Sequence, residues 1–300
     1  MILLAAAPLA FAIILILPEP ALAWGPVTHI ALGMQVLATV ITPDHPLQAA
    51  LLNIPEVFLY GSLAPDIVQG RRLQSRLRRH SHNWDTGFAL LQSARGDQQL
   101  AFAMGYLAHL GADVVAHNFF LPACLIGNFD SRFGGHIYTE ACFDSIQEPA
   151  YLDVLLKVLK LDFGLLDAML DQAVDSPLIP FSAHRRIFEG GLRRIRGWDR
   201  VIRALRGPAN INRGDAELFS DSSCEAIAGL LDDRAPKAPA RRFDPMGEDA
   251  IRRASSSRVS LRRLARIGAP ASKSARELAA RMLADLHAHL RDTPFRLPVE

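Results

Sequence analysis

The stretch "HLGADVVAH", residues 109–117, decides how the rest of the chain is read. His109, Asp113 and His117 stand four apart, so on an α-helix each is rotated only about 40° from the last. The flanking residues carry the same period: Leu100, Met104, Leu107, Leu110 and Val114 recur at threes and fours over 97–118. Three groups able to hold a metal therefore share one face of an otherwise apolar helix. An aspartate buried between two histidines is costly without a cation or hydrogen bonds. That favours a metal over a pair of core histidines with a capping carboxylate.

Working outward, "GGHIYTE" (134–140) places His136 and Glu140 at the same four-residue spacing, behind two glycines that suit a helix start. Five imidazoles and carboxylates from two nearby helices exceed the tetrahedral shell of one zinc, so a cluster of ions is expected. Upstream, "GSLAPDI" (61–67) puts Asp66 after Pro65 in a turn between helices, where a carboxylate can project into a cleft. In "HSHNWD" (80–85), His80 and His82 are two apart and cannot share a helical face, so one of them is expected to be a ligand.

The remainder reads as helix. After Pro26, Ile30, Met34, Leu37 and Ile41 form one apolar face, and 151–172 is a further amphipathic helix or helix pair. A polar Arg- and Ser-rich stretch at 233–260 reads as a linker or mobile surface segment, and a last helix spans about 272–291. Alternating β-branched runs, a GxGxxG motif and a Walker-type loop are all lacking. The fold class is all-α. With 300 residues, 50% hydrophobic and 21% charged, the composition is that of a folded globular chain, and a net charge of +2 names no partner.

Residues 1–17 are apolar and uncharged, and Ala21-Leu22-Ala23 ends them in a small-x-small site directly before Trp24. This reads as a secretory leader cut after Ala23, giving a secreted or periplasmic protein. Because no Lys or Arg precedes the apolar run, retention of the leader as a membrane anchor is the alternative. Cys124, Cys142 and Cys224 show no CxxC spacing and read as buried free thiols, with a Cys124–Cys142 pair as the alternative.

The order of these motifs resembles the zinc-dependent phospholipase C family and its relatives, the single-strand-specific zinc nucleases and the glycosylphosphatidylinositol-specific phospholipase D. The resemblance covers about residues 24–145 and implies a multi-helix bundle around a three-zinc cluster. In the phospholipase C and nuclease branches the mature chain begins with a tryptophan whose α-amino group and carbonyl chelate one zinc. Carried over, the loop histidine, His109 and Asp113 hold one ion, and His117, His136 and Glu140 a second. Trp24 and His29 hold the third, with Asp113 bridging. His82 is favoured over His80 because it directly precedes "NWD". On this resemblance Asp66 is expected to be the catalytic carboxylate that orients or deprotonates the attacking water, touching a zinc or lying one water away.

Two features depart from that pattern. The Asp113-to-His117 gap is shorter than in the phospholipase C and nuclease branches and looks like the phospholipase D branch. "WGPVTHIALG" also resembles the start of that branch, where the tryptophan is not retained. The domain reading is a leader (1–23), a phospholipase C-like helical domain (24–230), and a polar linker with a C-terminal helix (231–300).

The implied reaction is phosphodiester hydrolysis of phospholipid head groups, with peripheral membrane contact. An exported single-strand nuclease is the alternative, drawing on Arg71, Arg72, Arg76, Arg78 and Arg79 as a polyanion-attracting cluster. Against it, no aromatic among Phe119, Phe120, Phe129 and Phe133 is assignable to base stacking rather than core packing. A non-catalytic, metal-stabilised, membrane-associated helical module is the third reading. His45 and His184 read as solvated loop residues, and His287 and His289 as surface residues of the last helix. Arg-rich 252–266 reads as a solvated face, with a membrane-surface or nucleic-acid-binding helix as the alternative.

Overall fold

A computed structural model describes residues 24–68, 79–131, 136–174, 180–190, 192, 213–231 and 235–296. Among them there is no strand, and the fold is all-α. The helices are α1 (Pro26–Thr39), α2 (Gln48–Leu52), α3 (Pro55–Gly61), α4 (Ala64–Ile67), α5 (Trp84–Ser93) and α6 (Gly96–Val115). They continue as α7 (Leu121–Gly127), α8 (His136–Ser145), α9 (Pro149–Val158), α10 (Gly164–Ala173), a helical segment at 181–190, α11 (Arg213–Leu230), α12 (Glu248–Ala265) and α13 (Ala269–Asp292).

Helix α6 is the axis of the bundle, packed chiefly against α3 and α11, with α5 alongside. Every residue from Ala101 to Val115 is buried, because small and large apolar side chains alternate around the whole helix. The continuous helical run Gly96–Gly127 has the length and apolarity of a membrane span, yet 83% of its most apolar window is covered by the rest of the protein. It is the core helix, and it carries the ligand-type residues.

Two glycines set the closest approach. A Cβ on Gly105 would fall 2.0 Å from the Phe58 carbonyl oxygen, and one on Gly61 2.2 Å from that of Phe102. The backbones of α3 and α6 thus touch, and the turn after α3, which bears Ser62 and Asp66, is brought onto α6. Next to Gly61 on α3, the Tyr60 hydroxyl donates to Asp167 of α10. Arg185 binds the same carboxylate at 3.2 Å and lies over the Tyr60 ring.

Several expectations need correction. The stretch 233–260 is not a linker over its second half: residues 248–265 form α12, which pairs with α13 and packs on α7. Ala254 and Leu261 of α12 join Leu121, Leu125, Ile126 and Phe129 in a second hydrophobic cluster. Arg258 and Arg262 donate to the carbonyls of Phe129 and Ser131, so their charge hides a packed face. His184 is likewise not a solvated loop residue. It is buried in the 181–190 helix, and burial lowers its pKa. The 151–172 stretch is a helix pair, α9 and α10. Cys124, Cys142 and Cys224 are free thiols. Phe119, Phe120 and Phe129 are core residues. The leader, Phe133 and all of the basic cluster except Arg79 lie outside the described residues.

Candidate metal centre

Four segments deliver their polar side chains to one point in the core. Helix α1 brings His29, the single turn α4 brings Asp66, the loop before α5 brings His82, and α6 with the turn that follows brings His109, Asp113 and His117. All six are at most 4% exposed, which is exceptional for a set of ionisable groups.

Asp113 is the hub. Its carboxylate lies 3.5 Å from His29 Nε2, 3.5 Å from His82 Nε2, 3.1 Å from His109 Nε2 and 3.7 Å from His117 Nε2. Asp66 faces the same ring nitrogens from the other side, 3.3 Å from His82, 3.8 Å from His109 and 3.9 Å from His29. The rings of His29 and His109 stack at 4.0 Å. Two groups have donor atoms close enough to share an ion: His29, Asp66 and His109, and His82, His109 and Asp113.

The tautomers follow from the neighbours. His109 Nδ1 lies 2.8 Å from the Ser62 carbonyl, which can only accept, so Nδ1 carries the hydrogen. In neutral His109, Nε2 is then a bare lone pair aimed at a carboxylate and at His82 Nε2, 3.1 Å away. His82 Nδ1 is in turn met by the Ser81 hydroxyl at 3.0 Å. A lone pair and anionic oxygens converge in a dry core, an arrangement that a cation at this point relieves. A backbone carbonyl fixing the far nitrogen is also how metal-ligating histidines are oriented.

The electrostatics agree. Burial opposes charge on His109, but Asp113 and Asp66 outweigh it and raise its pKa. Asp113, despite burial, is held well below the usual carboxylate range by His109, His29 and His117. Burial, then the neighbouring His109, lowers His29. The carboxylate pair thus demands a cation at the Nε2 face, and a metal ion supplies it without a proton. This donor set of imidazole nitrogens and carboxylate oxygens fits zinc.

Local structure explains how each candidate ligand is held. Tyr106 of α6 donates its hydroxyl to the Ser81 carbonyl, pinning the histidine loop onto the core helix. His82 is the loop histidine at the centre, while half-buried His80 offers its carbonyl to Thr86 Oγ1 at 2.9 Å. Asp66 sits in the helical turn Ala64–Ile67 rather than in an irregular turn. Trp24 is buried. Its indole donates to the Ala112 carbonyl at 3.1 Å and lies against Phe120 and Phe143, which anchors the residue beside Asp113. Helix α8 begins at His136, but the side chains of His136 and Glu140 lie outside the described residues.

Asp144 was not singled out by sequence reasoning, although it continues the His136, Glu140 spacing by a further four residues. Its carboxylate accepts from Val27 N at 3.2 Å, Thr28 N at 2.9 Å and Thr28 Oγ1 at 2.6 Å, capping the first turn of α1 and holding His29 in place. Burial raises its pKa to about 6, against the hydrogen bonds from Thr28 and Val27. With the folded value above the ordinary carboxylate value of 3.8, the native state keeps a proton that the unfolded chain gives up. Stability contributed by this group is therefore present at low pH and lost as pH rises through about 6. In chelator-treated protein, the Tm of the wild type relative to Asp144→Asn is expected to fall from pH 4 to pH 7. A parallel pair of curves would refute this.

Neither the characterised proteins nor the solved structures give a match to the chain. The family comparison does: residues 28–176 match zinc-dependent phospholipase C. The matched segment contains His29, Asp66, His82, His109, Asp113, His117, His136 and Glu140. Over residues 28–176 the chain belongs to the zinc-dependent phospholipase C family, a family of zinc-dependent hydrolases.

Proposed function

We propose that the protein hydrolyses the phosphodiester of phospholipid head groups. The observation that carries this reading is the convergence of two carboxylates and four imidazoles on one dry point, in a chain of this family. His82, His109 and Asp113 would hold one zinc. His117, His136 and Glu140 would hold a second, and Trp24 and His29, with Asp113 bridging, a third. Bound zinc supplies positive charge to the phosphoryl oxygens and lowers the pKa of water.

The chain's own groups do the rest. Asp66 orients the attacking water and accepts its proton, placed for this by the Pro65 turn and by the close contact of α3 with α6. The Ser62 carbonyl and the Ser81 hydroxyl fix the far sides of His109 and His82, so the Nε2 atoms need no reorganisation. The apolar shell of Trp24, Phe120 and Phe143 excludes bulk water from that side. Removal of the leader after Ala23 would free the Trp24 α-amine as a ligand. An exported active chain beginning at Trp24 agrees with this, and an active chain with an intact leader does not.

Membrane contact is supported by the outer stripe of α12 and the turn after it, where Arg253, Arg263 and Arg266 flank the exposed Val259 and Ile267. The test is a parallel assay on phosphatidylcholine vesicles, phosphatidylinositol vesicles and single-stranded DNA, each with and without chelator. Chelator-sensitive release of a phosphorylated head group is expected. Cleavage of DNA alone would replace the phospholipase reading with the nuclease one, and no hydrolysis by a zinc-loaded chain would leave a non-catalytic module.

A further inference from the structure

His117 does not lie on regular α-helix. It is carried by a π-helical turn, Ala116–Phe120, inserted between α6 and α7. Such turns are rare and are retained where a side chain or a neighbour holds the wider ring open. Here both are present. The Asn118 side-chain amide donates from Nδ2 to the Val114 carbonyl at 2.9 Å and to the Asp244 carbonyl at 2.8 Å. One hydrogen of the amide is thus spent on the last turn of α6, tying the π turn back to it, and the other on a segment 126 residues away.

That segment, 243–247, lies outside the family-matched residues and is pressed onto the turn. Pro245, Met246 and Gly247 are buried. Gly247 has φ +55°, and a Cβ there would lie 2.6 Å from the His117 carbonyl oxygen and 2.7 Å from its Cβ. The segment is itself rigid. The Asp244 carboxylate accepts from Met246 N at 3.0 Å and Glu248 N at 3.1 Å, capping α12. The Phe243 carbonyl accepts from the Trp84 indole at 2.9 Å, on the helix that follows the His82 loop. One strap therefore touches the supports of two ligand-type histidines.

We propose that residues 243–247 are a working part of the metal centre. They clamp the turn that aims His117 at Asp113, and Asn118 is the positioning residue that joins the two. The proposal rests on the reading of His117 as a zinc ligand. Both amide hydrogens of Asn118 face carbonyl oxygens, so only a donor fits. An aspartate would set oxygen against oxygen and let the turn change register. Any side chain at Gly247 would push the His117 backbone away and meet an unfavourable left-handed φ.

The test uses the full chain with Asn118→Asp, Asn118→Ala, Gly247→Ala and, as a control, Leu261→Ala. The control lies in the separate cluster beneath α12 and removes packing without touching the strap. Zinc affinity is measured by competition with a chelator, coordination by the visible spectrum of the cobalt-substituted protein, and folding by circular dichroism. For both Asn118 variants and for Gly247→Ala, affinity for the last-bound zinc is expected to fall by about ten- to a hundredfold. The cobalt spectrum should change and helicity persist. Leu261→Ala should lower Tm and leave the cobalt spectrum and the zinc affinity as in the wild type. Wild-type affinity and spectrum in Asn118→Asp and Gly247→Ala would overturn the clamp alone. So would an equal loss of zinc in Leu261→Ala, which would make general stability the cause. A wild-type chain that takes up no zinc would overturn the clamp and the functional reading together.

Discussion

Asp113→Asn is expected to abolish hydrolysis and most zinc binding while leaving the metal-free fold intact. Four imidazole Nε2 atoms lie within 3.7 Å of this one carboxylate, so its charge is shared by every described histidine of the site. An asparagine is the same size, which removes charge without opening a cavity. Its amide nitrogen also offers a donor to lone pairs that previously faced only anionic oxygen. Activity should fall at least about a hundredfold, the upper end for loss of a mere supporting group around a metal. Elemental analysis should show zinc lost from the purified variant. The chelated variant should keep the helicity of the chelated wild type with a modestly lower Tm, because the pairing of ionised Asp113 with its imidazoles is lost. Full activity with full metal occupancy would refute the role assigned to Asp113.

The second large effect is on the wild type. Chelation should lower Tm, and zinc should restore it. A ligand at about a thousand times its Kd stabilises the native state by about 4 kcal/mol. At about 2 °C per kcal/mol for a chain of this size, that is about 8 °C. The effect should depend on pH with a definite sign. An imidazole nitrogen holds zinc only when free of a proton, so the zinc-induced rise should shrink as pH falls through the imidazole range. The metal-free chain should behave otherwise. The raised pKa of His109 adds stability below pH 6.5 that is lost as pH rises through the folded value. The lowered pKa of His29 adds stability above pH 6.5 that is lost as pH falls. The two act on opposite sides of pH 6.5, so these groups make the metal-free chain most stable near that pH. Thermal melts at pH 5.5, 6.5 and 7.5 with and without zinc measure this. A zinc-induced rise that grows on acidification would contradict it.

The core helix was legible in the sequence because ligand spacing and apolar spacing share one period, and α6 satisfies both at His109 and Asp113. His82 was separable from His80 by its place before Asn83 and Trp84, which start α5. The π turn at His117 was not legible, since a four-residue spacing from Asp113 suits an unbroken helix as well. Helix α12 was hidden by composition. Arg258 stands between Ala254 and Leu261 on the packed face and reaches the Ser131 carbonyl, so the apolar period is broken by a charge. Asp144 and the Gly247 contact join residues more than a hundred positions apart, and no local pattern announces such pairs.

The most direct measurement is anomalous diffraction at the zinc absorption edge from crystals of the zinc-loaded full chain. Strong peaks are expected among His82 Nε2, His109 Nε2 and Asp113, and beside His29 and His117. Zinc-loaded crystals with no peak at this core would contradict the zinc-dependent hydrolase account.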